Sequence, residues 1–434
     1  MKFFFSRVRT KGLKVPSLKG TWWKLGLFVA VMGPGIITGN VDNDIGGIAT
    51  YSSAGASYGF KLLWILLLST FSLAIVQEMT ARLGTITGKG LGALIRENFG
   101  FRITFYVLLA LLLTNFANII SEFAGIAAGT EIFGISRFWS VPIAALFIWF
   151  FSMRGNYRTI EKLLLIFCLF YVAYIFAGFL AKPVWSDVIT STLIPSFDLK
   201  DIGLVTMTIT IIGTTIAPWM QFYQQSTVAE KHILIKQYKY EKLDTYLGSF
   251  LTNFVAFFII VATGATLYKN GIRVTEASDA ARALVPFAGK FASSLFAIGL
   301  INAGVMAGFV LPISTAYSIS EGFGWQNGMG KKFKEAPRFY ALFTILVFVS
   351  ALVILFTKLN LIKVMLFSQT LNGILLPVIL FFMLKLINDE SIMGSHINTK
   401  YQNFVTIITI VSVSFLTILM LLLTFWPAIK VFIL

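Results

Sequence analysis

Long apolar stretches, separated by short polar and basic segments, follow one another along the whole chain. A transmembrane helix needs about 20 predominantly apolar residues. The pattern therefore predicts an all-α polytopic membrane protein with eleven spans, preceded by a basic leader at 1–23. The predicted spans are 24–57, 60–84, 103–130, 138–153, 162–182, 202–231, 243–268, 288–320, 338–357, 360–387 and 403–427.

Two of these spans are interrupted, and they lie five spans apart. Span 1 contains the sequence DNDIGG at 42–47, and span 6 contains Ala217 followed by Pro218, which removes a backbone donor and clashes with the preceding turn. Five is an odd number, so the two halves insert in opposite orientations. Matching interruptions in two such halves indicate an inverted-repeat transporter with its site near the bilayer midplane.

This organisation divides the chain into five segments. The divisions are a cytoplasmic leader at 1–23, a first five-helix repeat at 24–182, an outer loop at 183–201, a second repeat at 202–387, and a loop with an additional helix at 388–434.

Composition agrees with a membrane protein, because only 12% of the residues are charged, whereas a soluble domain carries about 25%. The net charge of +16 does not indicate a nucleic-acid partner, since the basic residues form short clusters between spans. With the N-terminus inside, 24 of the 35 Lys and Arg residues fall on the inner side. The positive-inside rule then predicts a multi-pass protein of the cell (inner) membrane with a cytoplasmic N-terminus and an outer C-terminus.

The acids in the interruption of span 1 are the strongest functional signal. A carboxylate near mid-bilayer costs about 2.5–3.5 kcal/mol on insertion scales, and loosened backbone at that depth is tolerated only where protein buries it or it lines a wet cavity. Asp42 and Asp44 therefore indicate a cation site on a transport path. The alternative is a structural kink with paired acids.

Ligands for soft or imidazole-binding metals are scarce. The chain has one cysteine, Cys168, and two histidines, His232 and His396, both in polar loops, so a zinc, copper or iron site built on thiolate and imidazole is difficult to assemble. Catalytic motifs are also missing from the sequence, which argues against a membrane-embedded enzyme or sensor.

Other polar residues within the spans have two interpretations each. Glu78 precedes Arg82 by one helical turn, which predicts an intrahelical ion pair. Span 3 should turn one polar face inward, and spans 8 and 10 carry amides that either line the same cavity or join helices. The residues concerned are Asn115, Asn118, Glu122, Asn302, Gln369 and Asn372.

Several stretches resemble the NRAMP family of divalent-metal transporters. These are LLWILLLSTFSLAIVQEMTARLGTITGKGL after the broken first span, and LFAIGLINAG with STAYSISEGFGW in span 8. The resemblance covers most of the chain and implies the two-inverted-repeat fold of the amino-acid–sodium symporters. It also implies transport of manganese or iron(II), usually with protons, through a DPGN motif in span 1 and an MPH motif in span 6.

The chain departs from both motifs. The DPGN position reads Asp44-Ile45-Gly46-Gly47, and the MPH position reads Ala217-Pro218-Trp219. Of the two span 3 acids on the family's proton route, the matching positions are Ile119 and Glu122. The segments LPISTAYSISEG and LNGILLPVILFFMLKLINDESIMG are similar to the NRAMP-related magnesium transporter branch, which implies a replaced soft site and no proton coupling.

The donor chemistry supports the same hypothesis. Without a thioether the site offers carboxylate, amide and carbonyl oxygens, which suit Mg²⁺ or Ca²⁺, and small residues leave room for the waters that Mg²⁺ retains. The predicted metal ligands are Asp44, Asp42, the backbone carbonyls of Val41 and Thr214, and Gln369. The predicted cavity residues are Gly47, Ala217, Trp219, Gln221, Glu122, Asn302 and Asn372.

The sequence thus predicts a Mg²⁺ uptake protein, driven by membrane potential without protons and working by alternating access. The alternative is a proton-coupled Mn²⁺/Fe²⁺ transporter like ordinary NRAMP members, followed by a sodium-coupled amino-acid carrier. The expected partners are the transported divalent cation and the lipid bilayer. No cofactor, nucleic acid or obligate protein partner is expected.

Overall fold

The computed structural model describes residues 34–154, 168–275, 277–281, 285, 289–357 and 360–433. The apolar stretches within these ranges fold as α-helices. The first eight are α1 (Pro34–Val41), α2 (Ile45–Tyr58), α3 (Leu63–Thr87), α4 (Leu91–Ile132), α5 (Arg137–Arg154), α6 (Val172–Leu180), α7 (Trp185–Leu193) and α8 (Ile202–Thr215). The others are α9 (Pro218–Glu230), α10 (Tyr238–Thr266), α11 (Ala277–Ala281), α12 (Ala292–Phe323), α13 (Pro337–Phe356), α14 (Leu361–Ile387), α15 (Glu390–Met393) and α16 (Lys400–Ile433). The predicted leader, the start of span 1 and residues 155–167 lie outside the described residues.

The first span is broken, but over a shorter segment than predicted. Helix α1 ends at Val41 and α2 begins at Ile45, so the break covers 42–44 and not 42–47. Asp44 stands at the N-cap of α2, where its carboxylate accepts a hydrogen bond from the backbone nitrogen of Gly47 at 2.6 Å. This cap satisfies one of the free donors of the first turn, which allows the two glycines to be helical.

The sixth span is broken where Pro218 predicts. Helix α8 ends at Thr215, Ala217 adopts an extended conformation, and Pro218 begins α9. Proline suits this first helical position because its missing N–H would have no helical partner there.

Two further differences from the prediction concern helix ends. Helix α4 begins well before the predicted span 3, and Gly100, with φ of 78°, separates its first turns from the segment that covers 103–130. The predicted outer loop at 183–201 contains α7, which is bent by 118° relative to α6.

Eight helical segments in the described part are long and apolar enough to cross a membrane, or nine if α6 and α7 form one span. The broken segment Ile202–Glu230 is central, since 78% of its most apolar stretch is buried, against 28% for Lys400–Thr424. The last helix is therefore peripheral, and the break in the sixth span lies in the interior of the protein.

Glycines bring the backbones of the broken spans into contact with their neighbours. A Cβ atom at Gly39 would lie 2.6 Å from the carbonyl oxygen of Gly248, so α1 lies directly against α10. A Cβ atom at Gly213 would lie 2.2 Å from the backbone nitrogen of Gly373, so α8 lies directly against α14. These contacts fix the two breaks relative to the surrounding helices.

The predicted pair of Glu78 and Arg82 is confirmed, with 3.2 Å between their charged atoms. Both side chains are buried, and Arg82 also donates to the carbonyl oxygens of His396 and Ile397. Gln402 donates to the Glu78 carboxylate at 2.8 Å. The ion pair therefore attaches the start of α16 to α3.

Candidate cation site

The two breaks face each other in the interior. The hydroxyl oxygens of Thr50 and Thr214 lie 3.3 Å apart, and the Tyr51 hydroxyl lies 3.0 Å from that of Thr215. A Cβ atom built on Gly47 would be 3.4 Å from an Asp44 carboxylate oxygen and 3.5 Å from a Thr214 methyl carbon. The prediction that spans 1 and 6 meet at their interruptions is thus confirmed.

Each break releases one backbone carbonyl from helical hydrogen bonding. The helical partner of the Val41 oxygen would be the nitrogen of Ile45, which instead donates to the Glu122 carboxylate at 3.3 Å. The partner of the Thr214 oxygen would be position 218, where proline has no N–H. Both carbonyls named by the sequence are therefore available as oxygen ligands.

Gln369 reaches the same point from α14. Its side-chain nitrogen lies 3.4 and 3.5 Å from the two carboxylate oxygens of Asp44. A Cβ atom at Gly46 would lie 1.9 Å from that nitrogen. Only glycine at position 46 leaves the amide this approach, so Gly46 belongs to the site although the sequence prediction did not include it.

Glu122 of α4 is a neighbour of Asp44. The two carboxyl groups lie within hydrogen-bonding reach of each other, and Glu122 also accepts from the Ile45 nitrogen. Asn115, Asn118 and Glu122 are fully buried, which confirms that α4 turns a polar face inward.

A chain of amides continues from Gln369 to α4. Asn372 donates to the Gln369 side-chain oxygen at 2.7 Å, and Asn118 donates to Asn372 at 2.9 Å. Asn372 is thus connected to the cation site through Gln369. Asn302 is buried on α12, and its place in the cavity wall stays a prediction.

Asp42 is buried close to Asp44, with one carboxylate oxygen that makes no hydrogen bond among the described residues. Neither acid forms an ion pair within the part of the chain that the structure describes. A buried carboxylate without a cation costs several kcal/mol. This arrangement favours a cation at Asp44, while the role of Asp42 as a second ligand stays a prediction.

Trp219 and Gln221 at the start of α9 are buried directly after the second break, and their place in the cavity wall stays a prediction. Trp219 is fully buried, and its carbonyl accepts from Ser314 at 3.0 Å. Gln221, with its amide oriented to satisfy its hydrogen bonds, donates to the carbonyl oxygens of Ala217 and Pro218, both at 2.8 Å. The Gln221 nitrogen is therefore hydrogen-bonded to the N-cap residue and the first residue of α9.

The contact of Tyr51 with Thr215 was not predicted. Tyr51 follows Asp44 by seven residues, or two helical turns, and so lies on the same face of α2. The seven-residue spacing of Asp44 and Tyr51 was the one feature of the sequence that could have predicted Tyr51 near the second break.

Among the described residues, no three His, Cys, Asp or Glu side chains form a metal-binding group. The site instead combines one or two carboxylates with neutral oxygens from two helix breaks. Such a donor set is suited to a hard divalent cation that keeps part of its water and can be released. The fold defines a polytopic membrane protein, in which buried carboxylates and released carbonyls lie together between two broken helices.

Comparison with known proteins agrees with this class. The family described as natural resistance-associated macrophage protein-like matches residues 35–423. The chain belongs to this family, NRAMP, as the sequence resemblance indicated.

Relatives and solved structures extend the match over nearly the whole chain. The divalent metal cation transporter MntH of Bacillus subtilis (strain 168) is 26% identical over 406 residues, covering 91% of this chain and 92% of the relative. A crystal structure of the Eremococcus coleocola manganese transporter has a TM-score of 0.75 at 20% identity, covering 93% of this chain and 88% of that one. Mhp1, a nucleobase-cation-symport-1 family transporter, has a TM-score of 0.57 at 12% identity, covering 92% and 93%. These proteins are transporters, which confirms the prediction that the chain is not an enzyme.

Proposed function

We propose that this protein is a divalent metal cation transporter that binds its substrate at Asp44. The observation that carries the proposal is a buried carboxylate, without a basic partner among the described residues, placed between two helix breaks that release the carbonyls of Val41 and Thr214. The Gln369 amide completes one side of the site. Membership of the NRAMP family supports the same class of substrate.

Manganese is the first substrate we propose. The relative from Bacillus subtilis is a divalent metal cation transporter, and the Eremococcus coleocola protein is a manganese transporter. Neither supports the magnesium preference predicted from the sequence, and the comparisons favour its alternative. Oxygen donors are compatible with this substrate, because carboxylate, carbonyl and water ligands suit Mn²⁺ as well as Mg²⁺ and Ca²⁺.

Magnesium is the second candidate, and one local observation favours it. Ala217 is buried beside the site and contributes no side-chain donor, so no thioether is present there to select a softer ion.

The transport cycle we propose is alternating access in the plasma membrane. For the topology of the protein we propose eleven spans, two inverted five-helix repeats, a cytoplasmic N-terminus and an outer C-terminus. Inward movement of two positive charges through 100 mV provides about 4.6 kcal/mol, at about 2.3 kcal/mol per charge. The potential alone can therefore drive uptake without a coupled proton.

The test uses the full chain in liposomes with Mn²⁺, Mg²⁺ and Ca²⁺ supplied separately and in competition. Flux and internal pH are recorded together, so that substrate preference and proton coupling are measured in one experiment. Asp44→Ala is expected to abolish flux, while Asp187→Asn, which removes an exposed acid on α7, should leave it unchanged. Undiminished flux in the Asp44→Ala protein would contradict the site.

A further inference from the structure

The amide of Gln369 is oriented by its neighbours. Its side-chain nitrogen, a donor, faces the two carboxyl oxygens of Asp44 at 3.4 and 3.5 Å. Its oxygen, the atom that could bind a cation, accepts from Asn372 at 2.7 Å. In this conformation the Gln369 N–H group lies where a cation would contact Asp44.

Cation binding through Gln369 requires this amide to rotate by about 180°, which the broad, two-fold terminal torsion permits. After rotation, its nitrogen would face the Asn372 nitrogen, and two donors would oppose each other. Asn372 would then have to rotate as well. Its contacts with Asn118 run in both directions, at 2.9 Å and 3.3 Å, so Asn118 can rotate in turn and restore the hydrogen bonds.

All three residues are buried, with at most 1% of the surface of each exposed. An amide that loses its partner in this setting is left unsatisfied, and an unsatisfied buried polar group is costly. The three amides therefore rotate together or not at all. Gln369 and Asn372 lie on α14, whereas Asn118 lies on α4, so the rotation would change a hydrogen bond between two helices.

We propose that Gln369, Asn372 and Asn118 form an amide relay, in which occupancy of the Asp44 site reverses the hydrogen bonds between α14 and α4. Asn372 and Asn118 are thus positioning residues, which set the atom that Gln369 presents to the cation. This inference rests on the proposed function, since it takes the Asp44 site as the binding site.

Asn118→Asp tests the relay with a defined sign. A carboxylate at position 118 can only accept, so one of its oxygens would face the Asn372 oxygen across the shorter of their two contacts, 2.9 Å. Rotation of Asn372 replaces this repulsion by a donated hydrogen bond and turns the Asn372 oxygen toward Gln369. Gln369 then turns its oxygen toward the cation, and binding tightens. Asn115→Asp is the matched control, because it adds the same charge to the same face of α4, where Asn115 donates to Thr315 and not to Asn372.

The measurement is the Kd for Mn²⁺ of the full chain in detergent, obtained from the loss of the free-ion electron paramagnetic resonance signal. Asn118→Asp is expected to bind Mn²⁺ at least about fivefold more tightly than Asn115→Asp. In a Gln369→Ala background the two variants should agree within about twofold, the usual scatter of independent sites. Equal affinities in both backgrounds would show a charge effect alone and overturn the relay.

Two additional variants keep the result interpretable. If Asn118→Asp does not fold, Asn118→Ala is compared in both backgrounds, and an effect on Kd that persists unchanged without Gln369 overturns the relay. Asp44→Asn separates the two proposals. Unchanged Mn²⁺ binding in Asp44→Asn contradicts the binding site itself. Weakened Mn²⁺ binding in Asp44→Asn, together with equal Kd values for Asn118→Asp and Asn115→Asp, contradicts only the relay.

Discussion

The Asp44 carboxylate and the Gly47 nitrogen are joined by a hydrogen bond of 2.6 Å, so the proposed cation ligand is also the N-cap of α2. The two roles can be separated by substitution. Asparagine caps helices about as well as aspartate, whereas alanine at an N-cap costs about 1 kcal/mol. We expect Asp44→Asn and Asp44→Ala both to lose Mn²⁺ flux, and only Asp44→Ala to lose helix stability. Thermal unfolding in detergent measures the second effect. Equal melting temperatures for the two variants would exclude a capping role.

Gly46→Ala should displace Gln369 from Asp44. The added Cβ would lie 1.9 Å from the amide nitrogen and 2.7 Å from the amide carbon. Because one ligand is lost, we expect Mn²⁺ affinity to fall about tenfold, which corresponds to about 1.4 kcal/mol. In a Gln369→Ala background the same substitution should have no further effect. Gly299→Ala is the control, since its nearest contact is the Tyr174 hydroxyl at 3.2 Å. A further tenfold loss of Mn²⁺ affinity in the double variant would show that Gly46→Ala does not act by displacing Gln369.

Ala217→Met should change ion selectivity. A thioether is a softer ligand than the oxygens around it, so it favours Mn²⁺ over Mg²⁺. We expect the Mn²⁺ to Mg²⁺ flux ratio to rise by about fivefold, a free-energy difference of about 1 kcal/mol. Ala217→Leu adds a side chain of similar size without sulfur and should lower both fluxes without this change in ratio. If Ala217→Met and Ala217→Leu have the same Mn²⁺ to Mg²⁺ flux ratio, the change comes from side-chain volume at position 217 and not from the sulfur.

Arg82→Met should destabilise the protein strongly. It leaves the Glu78 carboxylate buried without its cation, and breaking a buried pair in this way costs about 3–5 kcal/mol. Lys89→Met provides the comparison, because Lys89 pairs with Glu97 where both side chains are about half exposed, and such pairs contribute about 0–1 kcal/mol. Unfolding in detergent measures both. A smaller loss for Arg82→Met than for Lys89→Met would contradict the structural role given to the pair.

The sequence was sufficient for features with local causes. Pro218 located the second break, since proline cannot continue the preceding helix, and the spacing of Glu78 and Arg82 predicted their ion pair. The end of the first break was placed too late because Gly46 and Gly47 suggested irregular backbone. The cap by Asp44 makes them helical instead. An aspartate three residues before Gly47 is a helix-capping pattern, and the prediction was wrong because it did not take this cap into account.

Features that depend on tertiary contact could not be derived in this way. Gln369 approaches Gly46 from a helix more than 300 positions later in the chain, and no periodicity records that proximity. Asn372 joins Gln369 to Asn118, which lies 254 positions earlier in the chain, and that contact too cannot be read from the local sequence. The short helix α7 was missed because its polar sequence, WSDVITSTL, suggests a loop.

The direct contact of Gly213 with Gly373 constrains how the protein can change shape. Two backbones that touch without intervening side chains cannot slide or roll without losing close packing along their length, so α8 and α14 should travel as one rigid body. The Thr214 carbonyl and Gln369 would then keep a constant separation throughout a cycle. Any widening that admits or releases an ion would then come from the wall that carries Asp44, where α1 lies against α10 by the same kind of glycine contact and would move together with it.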